Sequence, residues 1–149
     1  MSRYGFVVDV DKCFGCHACN LACRLATHEK GVGAPLFVLE LGSDEERAPV
    51  WMPYVCTQIG DPICGPADQE APPCVRACPT GTLLYGDLED PGSQVGRIVA
   101  SGAAKPLPHT TSEPRAYYTG RIPRDVETSL PDPRGIIPRK YLPLEGVAP

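Results

Sequence analysis

At 149 residues and a net charge of −4, the chain has the length of one small domain with an appendage, and it lacks the basic balance of a nucleic-acid binder. Eight cysteines, fifteen glycines and eighteen prolines stand against three Phe, one Trp and six Tyr. So turn-rich a chain is short of apolar mass, and something besides hydrophobic burial has to staple it: disulfides, zinc or metal clusters.

In chain order, Met1-Ser2-Arg3-Tyr4 leads directly into an alternating stretch, residues 4–10, that reads as a short strand. No signal sequence, twin-arginine pair or apolar run of membrane-spanning length is visible. The expected location is therefore cytoplasmic, or periplasmic by co-export with a signal-bearing partner, with no direct membrane span. From Cys19 the pattern turns helical, with Leu21, Ala22, Leu25 and Ala26 on one face, and Gly31 and Gly33 end it. Residues 36–41 and 50–55 are the next strand candidates, separated by a solvated turn at 42–47. Residues 56–78 read as a loop rich in Pro and Gly, and 83–85 as a brief strand. Asp90-Pro91 is placed as an N-cap with Pro at the first helical position, opening a helix to about Ala100. The two cysteine regions, each a loop followed by a short helix, form a weak internal repeat.

After Gly102 the composition changes: nine prolines fall between residues 106 and 149, with Arg115, Arg121, Arg124, Arg134 and Arg139 among them. Residues 1–99 carry seven Lys/Arg against thirteen Asp/Glu, and residues 100–149 carry seven against five. A segment without apolar periodicity builds no core of its own. The expectation is a domain at 1–102 and an extended tail at 103–149 laid over a partner.

The cysteines carry the chemistry. The first four follow Cys13-x₂-Cys16-x₂-Cys19-x₃-Cys23, and a second set, Cys56, Cys64, Cys74 and Cys78, ends in Cys78-Pro79. Disulfides want an oxidising compartment and give no reason for three cysteines at a strict spacing of three. Zinc pairs two C-x₂-C knuckles, whereas this chain stacks four cysteines in eleven residues and its second set has no C-x₂-C. In two-cluster ferredoxins the fourth cysteine of each run ligates the other cluster. On that rule one [4Fe–4S] cluster takes Cys13, Cys16, Cys19 and Cys78, and the other takes Cys23, Cys56, Cys64 and Cys74. Ile59 stands where C-x₂-C spacing would put a sulfur, so Cys64 supplies it from an inserted loop, 60–73. If Cys64 pointed elsewhere, the second cluster would be a three-iron [3Fe–4S] species. Metal binding then becomes folding free energy for a thin core. His17, inside the first loop, reads as a solvent-facing neighbour of the ligands; Lys12 and Arg76 read as nearby charges or as plain surface. His28 and His109 have no evident partner.

These residues resemble a known family. Asp9-x-Asp11-Lys12-Cys13-x-Gly15-Cys16-x-Ala18-Cys19-x₃-Cys23 is similar to the opening motif of the iron–sulfur subunits that accompany molybdenum or tungsten bis-pterin enzymes of the dimethyl sulfoxide reductase type. Pro73-Cys74-Val75-Arg76-Ala77-Cys78-Pro79-Thr80-Gly81 resembles their closing motif, and the stretch from Gly86-Asp87-Leu88 through Asp90-Pro91, Ser93 and Val95 resembles the segment that follows it. Glu113-Pro114-Arg115-Ala116-Tyr117-Tyr118 is similar to a later element. Members typically carry four cysteine motifs; here the middle pair is absent.

The expected fold is α+β: a two-[4Fe–4S] ferredoxin-like core of short antiparallel strands and two short helices, with an extended Pro/Arg-rich C-terminal tail. The resemblance implies a non-catalytic electron-transfer subunit relaying single electrons to or from a large Mo- or W-bis-pterin catalytic subunit, with room for a further redox or membrane subunit and no nucleic acid. A free diffusible two-cluster ferredoxin is the alternative.

Overall fold

The computed structural model describes residues 3–27, 36–41, 50–56, 64, 71–107 and 114–122. The expected helix stop at Gly31 and Gly33, the turn 42–47, Ile59, His28, His109 and the tail beyond residue 122 lie outside the described residues.

Strand β1 (Tyr4–Asp9) is the middle of a three-stranded sheet ordered β4-β1-β5, with β4 at Leu83–Asp87 and β5 at Ala116–Thr119. Tyr4-Gly-Phe-Val-Val is apolar rather than strictly alternating because both its faces are covered. Phe6 and Val8 join the main core with Leu36, Leu39, Met52 and Leu83, while Val7 joins a second cluster with Leu88, Val95 and Tyr117. The β1–β4 pairing is antiparallel and runs from Tyr4 opposite Asp87 to Val8 opposite Leu83. The β1–β5 pairing is parallel.

A separate two-stranded ribbon pairs β2 (Phe37–Leu41) with β3 (Val50–Tyr54), antiparallel. The Tyr118 hydroxyl donates to the Pro53 carbonyl at 2.8 Å, a buried bond joining ribbon to sheet. Among the described residues three α-helices complete the fold: α1 (Ala18–Thr27), α2 (Pro73–Ala77) and α3 (Gln94–Ala100). The result is a small mixed α/β fold with few helices, compatible with a ferredoxin-like domain.

Four differences from the sequence-based expectations have local causes. First, α3 starts later than Asp90-Pro91 suggests, with Ser93 as its N-cap accepting the Gly96 N–H at 2.8 Å. Asp90 instead accepts the Gly92 N–H at 2.8 Å, closing a side-chain turn ahead of the helix. Second, α1 buries Cys19, Cys23 and Thr27, four residues apart, and turns Leu21 and Leu25 outward, 60% and 71% exposed. Cysteine burial therefore orients this helix rather than its leucines. Third, Pro72 and Pro73 open a short helix inside the stretch expected to be loop; Pro at the first helical position forfeits only an N–H that has no partner there. Fourth, the segment expected to be tail contributes β5: Ala116-Tyr-Tyr-Thr is β-prone and pairs with the central strand. It is parallel to β1 because β4, running antiparallel, ends beside Tyr4, at the same end of β1 where β5 begins beside Phe6.

The packing leaves little room at Gly5, where a Cβ would stand 2.2 Å from the Arg115 carbonyl oxygen and 2.7 Å from Leu88 Cδ1. Gly5→Ala is expected to destabilise the protein by about 1–3 kcal/mol through overpacking, and Ser93→Ala by about 1 kcal/mol through loss of the cap. Denaturant unfolding curves check both; an unchanged midpoint for Gly5→Ala would contradict so close an approach of the two strands.

Candidate iron–sulfur site

The cysteine loop that follows β1 is bent by two residues of positive φ, Gly15 at 78° and His17 at 61°. A Cβ on Gly15 would fall 2.5 Å from the Trp51 ring, so backbone sign and indole packing both call for glycine there. A 3₁₀ turn over Val10–Lys12 delivers the chain to the loop, and the Cys13 N–H returns to the Val10 carbonyl at 3.3 Å. At its far side the His17 carbonyl accepts the Leu21 N–H at 3.1 Å, hanging α1 directly on the loop. The Asn20 side chain donates to the Leu36 carbonyl, and the Thr27 hydroxyl to the Cys23 carbonyl at 2.7 Å, which fixes α1 along its length.

Cys13, Cys16, Cys19 and Cys78 line one cavity with Val38, Pro53, Thr82 and Leu83, holding ≈ 300 Å³ of empty space including that open to solvent. Three of these cysteines come from the first run and one from the second. Burial pushes the Cys13 thiol up against a bond from the Gly15 N–H, with Cys78 and Cys16 adding to the rise. Burial likewise pushes Cys19 up to about 12, opposed by the Asn20 N–H and reinforced by Cys13, Cys78 and Cys16. Cys78 goes the other way. Burial works against its thiolate, but the Thr80 N–H, the Thr80 hydroxyl and the Thr82 and Leu83 N–H groups outweigh it and bring the thiol to about 7. Pro79 has no N–H to give, so the donors begin at Thr80.

The other four cysteines form a second neighbourhood, also of mixed parentage. Cys23 is pushed up to about 11 by burial first, against a bond from Leu36, and then by Cys56 and Cys64. Cys74 is pushed up further, by burial and then by Cys56, Cys23, Cys64 and Cys19. Beside this group stands a feature that sequence reasoning misses. The Tyr85 hydroxyl is buried with no hydrogen-bond partner among the described residues. Burial, then Cys56, Tyr4 and Cys64, raise its pKa. A strand aromatic seven residues beyond a ligand is the only sequence signal for it, and a bland one. Thr80 and Thr82 are likewise unmarked beyond their place near the closing motif.

Among the neighbours, His17 is exposed and meets Trp51 edge-on at 6.0 Å between ring centroids; Lys12 and Arg76 are exposed.

All eight cysteines are free of disulfides. Among the described residues no group of three or more His, Cys, Asp or Glu is spaced to hold a single metal ion. Thiolates around a cubane need not converge on one point, because each meets a different iron. The donor set fits such a cluster: thiolate sulfur is the ligand iron–sulfur centres take, the two groups hold four sulfurs each, and an unpaired hydroxyl donor lies beside one of them. Among the described residues no helix is long and apolar enough to cross a membrane.

No protein-family profile matches the chain. Similarity to curated proteins is clear, however. The chain is 29% identical over 117 residues to a sulfite dehydrogenase subunit of Allochromatium vinosum, covering 77% of this chain and 43% of that protein. It is 29% identical over 113 residues to the putative dimethyl sulfoxide reductase iron-sulfur subunit of Halobacterium salinarum, covering 74% and 42%. Identity to the probable anaerobic dimethyl sulfoxide reductase chain YnfG of Escherichia coli is 30% over 116 residues, covering 77% and 43%. The chain thus spans less than half the length of these relatives. By sequence it is a homologue of the iron–sulfur subunits of dimethyl sulfoxide reductase-type oxidoreductases.

Proposed function

We propose that this chain is an electron-transfer subunit passing single electrons to or from a Mo- or W-bis-pterin catalytic subunit, and that it binds no substrate itself. Two [4Fe–4S] clusters would supply the one-electron chemistry. Cys13, Cys16, Cys19 and Cys78 would hold one and Cys23, Cys56, Cys64 and Cys74 the other. The observation that carries this reading is the crossed parentage of the two groups: Cys78 stands with the first run and Cys23 with the second set.

The residues of the chain contribute position and electrostatics. The i, i+4 spacing of Cys19 and Cys23 puts both sulfurs on the inward face of α1, one turn apart, so a single helix serves both groups. The β1–β4 pairing brings the loop after Val10 beside the loop before Leu83, which is how Cys78 reaches Cys13. Buried thiols held as neutral groups lose their protons on coordination, so the bound cluster compensates for burial that an isolated thiolate would resist. The relatives are subunits of multi-chain enzymes by name, which supports a permanent partner over a freely diffusing carrier.

In iron-stripped protein that circular dichroism shows to be still folded, iodoacetamide is expected to modify Cys78 at much lower pH than Cys19, with a midpoint near 7 against about 12. The folded-state pKa of Cys78 lies below the ordinary thiol value, so its thiolate persists as pH falls until about 7. Thr80→Val removes one donor and should move the midpoint upward. Peptide-resolved mass spectrometry across pH reads this; equal reactivity of Cys78 and Cys19 would contradict it. The function itself is tested by anaerobic purification of the native assembly with iron, sulfide, molybdenum and tungsten counted per chain. About eight irons with a co-purifying Mo or W subunit is the expected result. About seven irons would remove Cys64 from the ligand set, and zinc without sulfide would sink the cluster reading altogether.

A further inference from the structure

We propose that Thr82 and Thr80 form a directed chain of hydroxyls ending on the sulfur of Cys78, and that this chain raises the reduction potential of the cluster Cys78 holds. The inference rests on the reading of Cys78 as a cluster ligand and adds to it a residue-level control on the electron's energy. The Thr80 hydroxyl lies 3.6 Å from Cys78 Sγ, and the Thr82 hydroxyl lies 2.9 Å from that of Thr80. For a free thiol, either partner in each pair can donate.

Coordination removes that freedom. A cluster-bound thiolate has no proton, so Thr80 must be the donor to sulfur. A hydroxyl carries one proton. With its proton committed to sulfur, Thr80 can only accept from Thr82, and both bonds then point the same way. Bonds in series polarise one another.

The far end of the chain is anchored. Thr82 is 1% exposed, and its carbonyl accepts the Asp9 N–H at 2.9 Å, pinning it where β4 meets β1. The same sulfur also receives the backbone N–H groups of Thr80, Thr82 and Leu83. Among the described residues, Cys13, Cys19 and Cys23 each show one backbone donor and Cys74 shows none. Cys78 thus receives more donors than these four. An added electron makes the cluster and its sulfurs more negative, so donors aimed at sulfur stabilise the reduced form more than the oxidised one. Losing them lowers the potential. The bland alternative is that Thr80 only satisfies the hydroxyl of buried Thr82; that role leaves a redox potential unmoved.

The test is an EPR-monitored redox titration of the cluster-loaded protein in its native assembly, with Thr80→Val, Thr80→Ser and Thr82→Val. Thr80→Val should weaken the electron affinity of one cluster about tenfold, a shift of ~59 mV to more negative potential for a one-electron couple, and leave the other cluster unmoved. Thr80→Ser should restore the original value. Thr82→Val should give a smaller shift of the same sign. Thr80 is exposed, so its replacement disturbs little packing; Thr80→Ala removes the same hydroxyl if the valine variant does not load. An unshifted potential in a fully loaded Thr80→Val or Thr80→Ala protein overturns the hydroxyl chain while leaving the cluster assignment standing. Cys78→Ser separates the two ideas: iron content and EPR signals identical to those of the unmodified protein would show that Cys78 is no ligand, and both would fall together.

Discussion

Eight sulfurs gathered in so small a chain set the terms for everything else in this fold. Burial pushes Cys19 and Cys23 up to about 12 and 11, and neighbouring sulfurs push the same way. Left as thiolates, such groups would repel one another in a poorly solvated space. Left as thiols, they are small apolar side chains at the centre of a core that has few large ones. A cationic inorganic centre resolves both difficulties at once, which is why the arrangement makes physical sense as a holoprotein. The orientation of α1 shows how strongly this constraint acts: the helix turns Leu21 and Leu25 to solvent in order to bring Cys19 and Cys23 inward.

Much of this is legible in the residues. Strands β1 to β4 fall where the apolar stretches and turn residues put them, because each is short and bounded by Gly, Pro or charged clusters. The spacing rule assigns Cys78 to the first run, and in the structure Cys78 lines one cavity with Cys13, Cys16 and Cys19. What composition hides is of four kinds. The face of α1 is obscured because amphipathic periodicity weighs leucine above cysteine, while the structure does the reverse. The start of α3 is displaced because Asp90-Pro91 and Ser93 are both good openers, and the Ser93 hydroxyl also donates to the Asp87 carbonyl at 2.7 Å, tying the cap to β4. β5 is submerged in a proline-rich background, where three β-prone residues, Tyr117, Tyr118 and Thr119, are too few to declare themselves without the strand they join. Thr80 stands in the closing motif, but the hydroxyl contacts of Thr80 and the burial of Thr82 and of the Tyr85 hydroxyl are not legible in sequence, since their interest lies in which hydroxyl faces which sulfur.

The stretch that follows the closing motif in the resemblance has a structural role here. In the run from Gly86 to Val95, Asp87 accepts the N–H groups of Arg3 and Glu89, each at 3.0 Å; Asp90 holds the turn; Ser93 caps α3; and Leu88 and Val95 fill the second apolar cluster. None of these contacts touches a cysteine.

The β1–β4 ladder connects this lineage motif to the chemistry and keeps them apart. At one end Val8 faces Leu83, and there the chain runs on to Cys13 from β1 and back to Cys78 from β4. At the other end Tyr4 faces Asp87, where the capped turn begins. Four residue steps along β1 separate the two, on the order of 14 Å at the usual rise of an antiparallel strand. The residues that carry the resemblance thus stand at both ends of this ladder, the cysteine motifs at one and the capped turn at the other.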